Sequence, residues 1–175
     1  MTSQEVIEIY SKADKAGIKF WIDGGWCMDA LLGEQTRPHS DLDIAIQEKD
    51  VLNFRKLLEP QGYKDIKIED ARPHNFVLGD DNGREVDIHV IVLDDKGNGI
   101  YGPLENGQQM YPAQGLTGKG VIDGQEVRCI SPEIMVEFIA PWVQKHKEKY
   151  VKNLKALCDK FGIEYPQELK KLLKR

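Results

Sequence analysis

Arg37-Pro38-His39-Ser40-Asp41-Leu42-Asp43-Ile44-Ala45-Ile46 is the stretch on which the reading of this chain turns. Alternate residues of a strand share a face. Leu42, Ile44 and Ile46 therefore read as core-facing, and Asp41 and Asp43 point together to the other side, roughly 7 Å apart by strand rise. Two carboxylates held that close repel each other unless a cation lies between them. Mg²⁺ prefers hard oxygen ligands and is commonly held by one or two carboxylates plus substrate phosphates. A lone D-x-D also arises by chance on solvated strand faces, so the rest of the chain has to decide its meaning.

A second segment repeats the pattern. In Glu85-Val86-Asp87-Ile88-His89-Val90, the apolar residues face the core and Glu85, Asp87 and His89 share the opposite face. If the two strands are neighbours, Asp87 joins Asp41 and Asp43, and three carboxylates on adjacent strands suit a one- or two-metal phosphoryl-transfer site. Asp87 is then read either as a metal ligand or as the base that takes a proton from an attacking hydroxyl. Upstream, Phe20-Trp21-Ile22-Asp23-Gly24-Gly25-Trp26 is a strand running into a tight turn and a helix. Glycine lets backbone approach a ligand closely, and the open N–H groups of a helix start attract phosphate.

The flanking sequence predicts a mixed sheet with helices. Thr2-Ser3-Gln4-Glu5 has the form of a capping box, with Val6, Ile9, Tyr10 and Ala13 following at helical spacing and Gly17 as the stop. Strands are expected over 19–23, 41–46, 63–68, 75–78 and 84–92, and helices over 26–32 and 50–58. Asp80-Asp81-Asn82-Gly83 and Asp123-Gly124 are hairpin signals. The Gly- and Asn-rich stretch 94–107 reads as a loop. Ser131-Pro132 marks a helix start, and helices interrupted near Pro141 and Pro166 finish the chain. The expected fold class is α+β, a core over 1–130 followed by a small C-terminal helical segment over 131–175.

The chain has 175 residues, 41% of them hydrophobic and 30% charged, enough for one compact core without staples. No apolar run approaches the ~18–20 residues that cross a bilayer, and the acidic N-terminal stretch is unlike a signal peptide. A cytoplasmic location, with no membrane partner, is expected. Cys27, Cys129 and Cys158 lack metal-type spacing and read as buried free thiols. A net charge of −5 speaks against a nucleic-acid partner and leans towards a cationic one.

Gly24-Gly25-Trp26, Arg37-x-His39-x-Asp41-x-Asp43 and Val86-Asp87-Ile88-His89, in that order and spacing, resemble the polymerase-β-type nucleotidyltransferase superfamily. Within it the chain is most similar to the lincosamide and aminoglycoside adenylyltransferase group, chiefly over residues 18–93. The resemblance implies Asp41 and Asp43 as paired metal ligands and Asp87 as the third carboxylate. It implies Gly24 and Gly25 as the phosphate-contacting turn, with Arg37 and His39 near the nucleotide. One or two Mg²⁺ ions and an NTP, ATP by preference, are the implied cofactor and co-substrate. The implied reaction moves a nucleoside monophosphate to a hydroxyl of a small molecule, such as a lincosamide or aminoglycoside, and releases pyrophosphate. A helical region closes the cleft in that group, and a homodimer is expected by resemblance alone. Many superfamily members have Gly-Ser where this chain has Gly24-Gly25, so a hydroxyl that can touch phosphate is absent.

Other residues carry weaker signals. Lys145, Lys149 and Lys152 share a face if their helix is continuous; Lys149 is the first candidate to reach the triphosphate, against a merely solvated basic face. His89 is read equally as a polar neighbour of the site or as a substrate contact. Glu105 and Tyr111, in the stretch 94–116, are candidates to line the acceptor pocket. Trp26 and Trp142 read as packing residues. Two other functions share the same fold: a nucleotidyltransferase acting on tRNA or another nucleic acid, and a non-catalytic nucleotide-binding module.

Overall fold

The computed structural model describes residues 1–67, 72–101 and 110–174, leaving aside the side chains at 110, 148 and 149. The chain begins as its capping signal requires. Thr2 Oγ1 accepts from Glu5 N, and the Glu5 side chain accepts from Thr2 N at 2.7 Å, opening α1 (Ser3–Lys15). Val6, Ile9, Tyr10 and Ala13 form its buried stripe. Then follow β1 (Phe20–Ile22), α2 (Gly24–Leu32), β2 (Asp41–Gln47), α3 (Glu48–Leu58), β3 (Lys64–Ile66), β4 (Asn75–Gly79) and β5 (Glu85–Leu93). The chain continues through β6 (Gly99–Tyr101), β7 (Met110–Tyr111), β8 (Gly118–Ile122) and β9 (Gln125–Cys129). It finishes in α4 (Pro132–Ile139), α5 (Lys147–Phe161) and α6 (Gln167–Leu173).

The strands form one mixed sheet in the order β3-β4-β5-β2-β1-β9-β8, with β6 pairing β5 and β7 pairing β6. The pairing β2–β5 is parallel and central, β1–β2 is antiparallel, and β1–β9 is parallel. Helices flank this open sheet, which is the expected α+β class. α2 packs on β8 and β2, and α4 and α5 pack on α2. Sandwiched in this way, α2 is buried from Trp26 through Leu31, with Asp29 the one charged residue in that span. Its contact with β8 is close: a Cβ on Gly120 would lie 2.5 Å from the Ala30 carbonyl carbon. All three cysteines are buried and free.

Three local expectations change. The stretch 94–107 is not all loop, since it carries β6. Asp94 Oδ1 accepts from the N–H groups of Lys96 and Asn98, a turn that folds the chain back onto β5. A Cβ on Gly99 would meet Ile91 Cδ1 at 2.8 Å, so the glycine that suggested a loop instead lets strands pack closely. α5 begins at Lys147, which leaves Lys145 outside the helix and breaks the supposed lysine row. Trp142, read as a packing residue, is 52% exposed because it lies on the helical turn after α4 rather than on a core-facing stripe.

The Gly120 contact gives a stability test. Gly120→Val forces side-chain atoms against the backbone of α2, and overpacking of this kind costs about 1–3 kcal/mol. Urea unfolding is expected to show a loss in that range with an unchanged slope, and a variant as stable as the wild type would contradict the packing.

Candidate active site

The parallel β2–β5 register sets Asp43 directly beside Asp87, and Ala45 beside His89. Ligand atoms of Asp43, Asp87 and His89 lie within 4.8 Å of one another. Asp41 is one rung along, opposite Glu85; its Oδ1 accepts from Ser40 Oγ at 3.2 Å, and it lies outside this cluster. The four side chains share one sheet face, as the alternation required.

Asp87 sits in an unfavourable electrostatic environment. Its Oδ1 is buried without a hydrogen-bond partner. Burial pushes its carboxyl above the usual range; the His89 ring lowers it, and the charges of Asp41 and Asp23 raise it again. Buried oxygen acceptors with no protein donor are what a bound cation would satisfy, so the cluster fits a divalent ion.

The glycines meet the cluster from the side. Gly24 has φ +58°, and a Cβ there would lie 2.0 Å from Asp43 Oδ2. A Cβ on Gly25 would lie 2.3 Å from His39 Nδ1 and 2.9 Å from an Arg37 terminal nitrogen. The turn thus brings backbone against the acidic cluster, and the His39 ring occupies the space that a side chain at position 25 would need. His39 is buried, its Nε2 2.5 Å from Asp29 Oδ2. Arg37 donates from Nη1 to Pro38 O at 3.0 Å.

Asp23 was missed in the sequence. It is 7% exposed, its Oδ1 accepts from Gly24 N at 2.7 Å, and its Oδ2 accepts from the Tyr111 hydroxyl at 2.9 Å. An aspartate directly before a helix start is an N-cap signal, and it was available in the sequence. Burial and the neighbouring Asp23 charge push the Tyr111 phenol well up, which keeps it a neutral donor. Tyr111 lines the cleft, and its hydroxyl is committed to Asp23. His89 Nδ1 is 3.3 Å from the Tyr101 hydroxyl. Lys149 lies in the first turns of α5, its side chain outside the description, and Glu105 lies outside the described residues.

Above the carboxylates is a cleft of about 330 Å³. Its floor is Asp23, Gly24, Asp43, His89 and Tyr111; Met135, Phe138, Ile139, Trp142, His146 and Tyr150 form the opposite wall. β-Strand carboxylates, a glycine turn at a helix start and a helical wall are thus gathered around one space.

The family model for aminoglycoside-2''-adenylyltransferase matches residues 5–154. The chain belongs to the aminoglycoside-2''-adenylyltransferase family. It is 28% identical over 158 residues to a lincosamide resistance protein of Staphylococcus haemolyticus, covering 90% of this chain and 96% of that one. To a 2''-aminoglycoside nucleotidyltransferase of Klebsiella pneumoniae it is 27% identical over 174 residues, covering 93% and 89%. Among solved structures, the lincomycin-bound lincosamide antibiotic adenylyltransferase LnuA superposes with a TM-score of 0.75 at 26% identity, over 90% of this chain and 98% of that one. This adenylyltransferase-family chain is a nucleotidyltransferase with the fold expected of that superfamily. Among the described residues, no helix is long and apolar enough to cross a membrane.

Asp87 yields a pH-dependent test. Its carboxyl titrates higher in the folded chain than in the unfolded one, so the folded form binds the proton more tightly. Stability is therefore lost as pH rises through the folded value, and the charged form is disfavoured above it. In metal-free buffer, Asp87→Asn is expected to unfold at higher urea than the wild type at pH 7. That gap should narrow towards pH 4 and on addition of Mg²⁺ to the wild type. A gap that widens on acidification would refute the assignment.

Proposed function

We propose that this chain transfers AMP from ATP to a hydroxyl of an antibiotic, releasing pyrophosphate, in the cytoplasm where ATP is supplied. The observation that carries the reading is the β2–β5 register, which sets Asp43 beside Asp87, with Gly24 packed against Asp43. Asp41, Asp43 and Asp87 would hold one or two Mg²⁺ ions. When bound, the metal offsets negative charge on the phosphates and favours departure of pyrophosphate.

The chain's own groups do the rest. Gly24 and Gly25 let the triphosphate approach the backbone at the start of α2, where open N–H groups and the helix dipole favour anions. Arg37 and Lys149 would supply positive charge on the nucleotide side, and His39 would support the glycine turn there. Asp87, with its carboxyl raised by burial, is suited to take the proton from the acceptor hydroxyl as that oxygen attacks the α-phosphorus. His89, with Tyr101 behind it, would face the acceptor, and Tyr111 would act by holding Asp23 in place. Glu105 completes the set as an acceptor-side group. The segment 131–175 would close the cleft opposite residues 1–130.

The wall of the cleft bears on the acceptor. Met135, Phe138, Ile139 and Trp142 are apolar or aromatic, and the described carboxylates of the cleft lie on its floor. An amphipathic molecule with an apolar face suits this wall better than a polycation, which would seek carboxylates on both sides. This favours a lincosamide-type acceptor, in keeping with the likeness to the Staphylococcus haemolyticus protein.

Calorimetric titration with a non-hydrolysable ATP analogue, with and without Mg²⁺, tests the nucleotide site. Wild type is expected to bind only with the metal, and Asp43→Asn to lose that binding along with roughly 10²–10³-fold of kcat, as removal of a main electrostatic stabiliser does. Binding by the variant equal to wild type would defeat the reading. Pyrophosphate release with lincomycin is expected to exceed that with tobramycin by about tenfold or more in kcat/KM, the scale of one good pocket contact. The reverse order would transfer the acceptor to the aminoglycosides.

A further inference from the structure

A buried chain of hydrogen bonds runs behind the glycine turn, and none of its inner members faces the cleft. Asp29, on α2, is 2% exposed in a helix otherwise filled with apolar side chains. A carboxylate buried there is costly unless its oxygens are paired. Both are: Oδ1 accepts from Thr36 Oγ1 at 2.6 Å, and Oδ2 is 2.5 Å from His39 Nε2. Thr36 Oγ1 in turn accepts from Asn153 Nδ2 of α5 at 2.6 Å, and Asn153 is 4% exposed.

The direction of each bond follows from what each group can give. An ionised carboxylate only accepts. The single hydroxyl proton of Thr36 is spent on Asp29, so Thr36 must receive from Asn153. The Asp29 carboxylate likewise requires His39 to donate from Nε2, which leaves Nδ1 as the nitrogen turned to Gly25. Trp26 flanks the ring at 4.8 Å between centroids. The imidazole is thus fixed in both tautomer and orientation, as partners of metal-binding histidines commonly fix theirs.

We propose that Asp29, braced by Thr36 and Asn153, is a positioning residue for the nucleotide side of the site. It holds His39 with Nδ1 against the Gly24–Gly25 turn, and with it the loop that carries Arg37 into β2. The inference rests on the nucleotide reading above and adds residues to it that never touch the nucleotide. A ring held there keeps the turn, and the open N–H groups of the helix start beside it, in the place where a triphosphate would lie. The brace also ties that loop to α5, whose Tyr150 lines the acceptor wall. A side chain at position 25 would displace the ring, which is a physical reason for glycine at that place.

The test compares full-length wild type, Thr36→Val, Thr36→Ser and Asp29→Asn. Binding of a Mg²⁺-bound, non-hydrolysable ATP analogue is measured by calorimetry, and the His39 ring nitrogens are followed by ¹⁵N NMR. Thr36→Val and Asp29→Asn are expected to bind the analogue roughly tenfold more weakly, the usual scale for losing such an orienting partner. Thr36→Ser, which keeps the hydroxyl, should bind as wild type does. The Nε2-protonated signature of His39 should be lost or averaged in Asp29→Asn and kept in Thr36→Ser. Unchanged affinity in Thr36→Val and Asp29→Asn, an equal loss in Thr36→Ser, or an unchanged His39 signature in Asp29→Asn would each overturn the positioning role. A wild type that binds no analogue overturns the nucleotide reading itself, and this inference with it; equal binding by wild type and variants overturns this inference alone.

Discussion

Like charge held at one rung of a parallel strand pair is the constraint on which the rest of this molecule depends. The β2–β5 register puts Asp43 beside Asp87, and Asp41 adds its charge from the next rung on the same face. A sheet does not favour that arrangement for its own sake, since like charges directly opposite each other are destabilising. It persists because both strands are pinned from behind by apolar residues. Leu42, Ile44, Ile46, Val86 and Ile88 are fully buried, and a one-residue slip of either strand would turn that whole set to the wrong face.

Around this unfavourable pair the structure places groups that make sense together. Gly24 comes so close to Asp43 that no side chain fits, and Gly25 leaves room for His39. Asp23 caps the helix that starts there and is held by Tyr111. The Asp87 carboxyl lacks a donor on one buried oxygen, a local cost that the packing of the strands offsets. Sites that work on charged substrates are commonly built in this way, with local strain offset by a well-packed frame.

The C-terminal helices belong to the same construction. α4 and α5 pack on α2, the helix that starts at the glycine turn, and the turn after α4 brings Trp142 to the cleft. Asn153 of α5 reaches back to Thr36, so one helix contributes to the acceptor wall and braces the loop ahead of β2. The two ends of the cleft are therefore mechanically joined through buried polar contacts rather than through the sheet alone.

Much of this was legible in the sequence, and the reason is periodicity. The alternation in 41–46 and 85–90 fixed which side chains share a face, and the capping box and hairpin signals marked element ends because each is a local backbone requirement. The stretch 94–107 misled because glycine serves both loops and tightly packed strands, and only the neighbouring Ile91 side chain distinguishes the two. Trp142 misled because a large aromatic beside an apolar helix reads as packing, whereas the short turn after α4 directs it to solvent and the cleft. That β2 and β5 are neighbours, that Asp41 stands a rung away from Asp87, that Asp23 takes Tyr111 and that Asp29 takes His39 were decided by the tertiary structure alone. Each is a contact between residues far apart along the chain or turned towards each other only by packing, and local sequence carries no term for it.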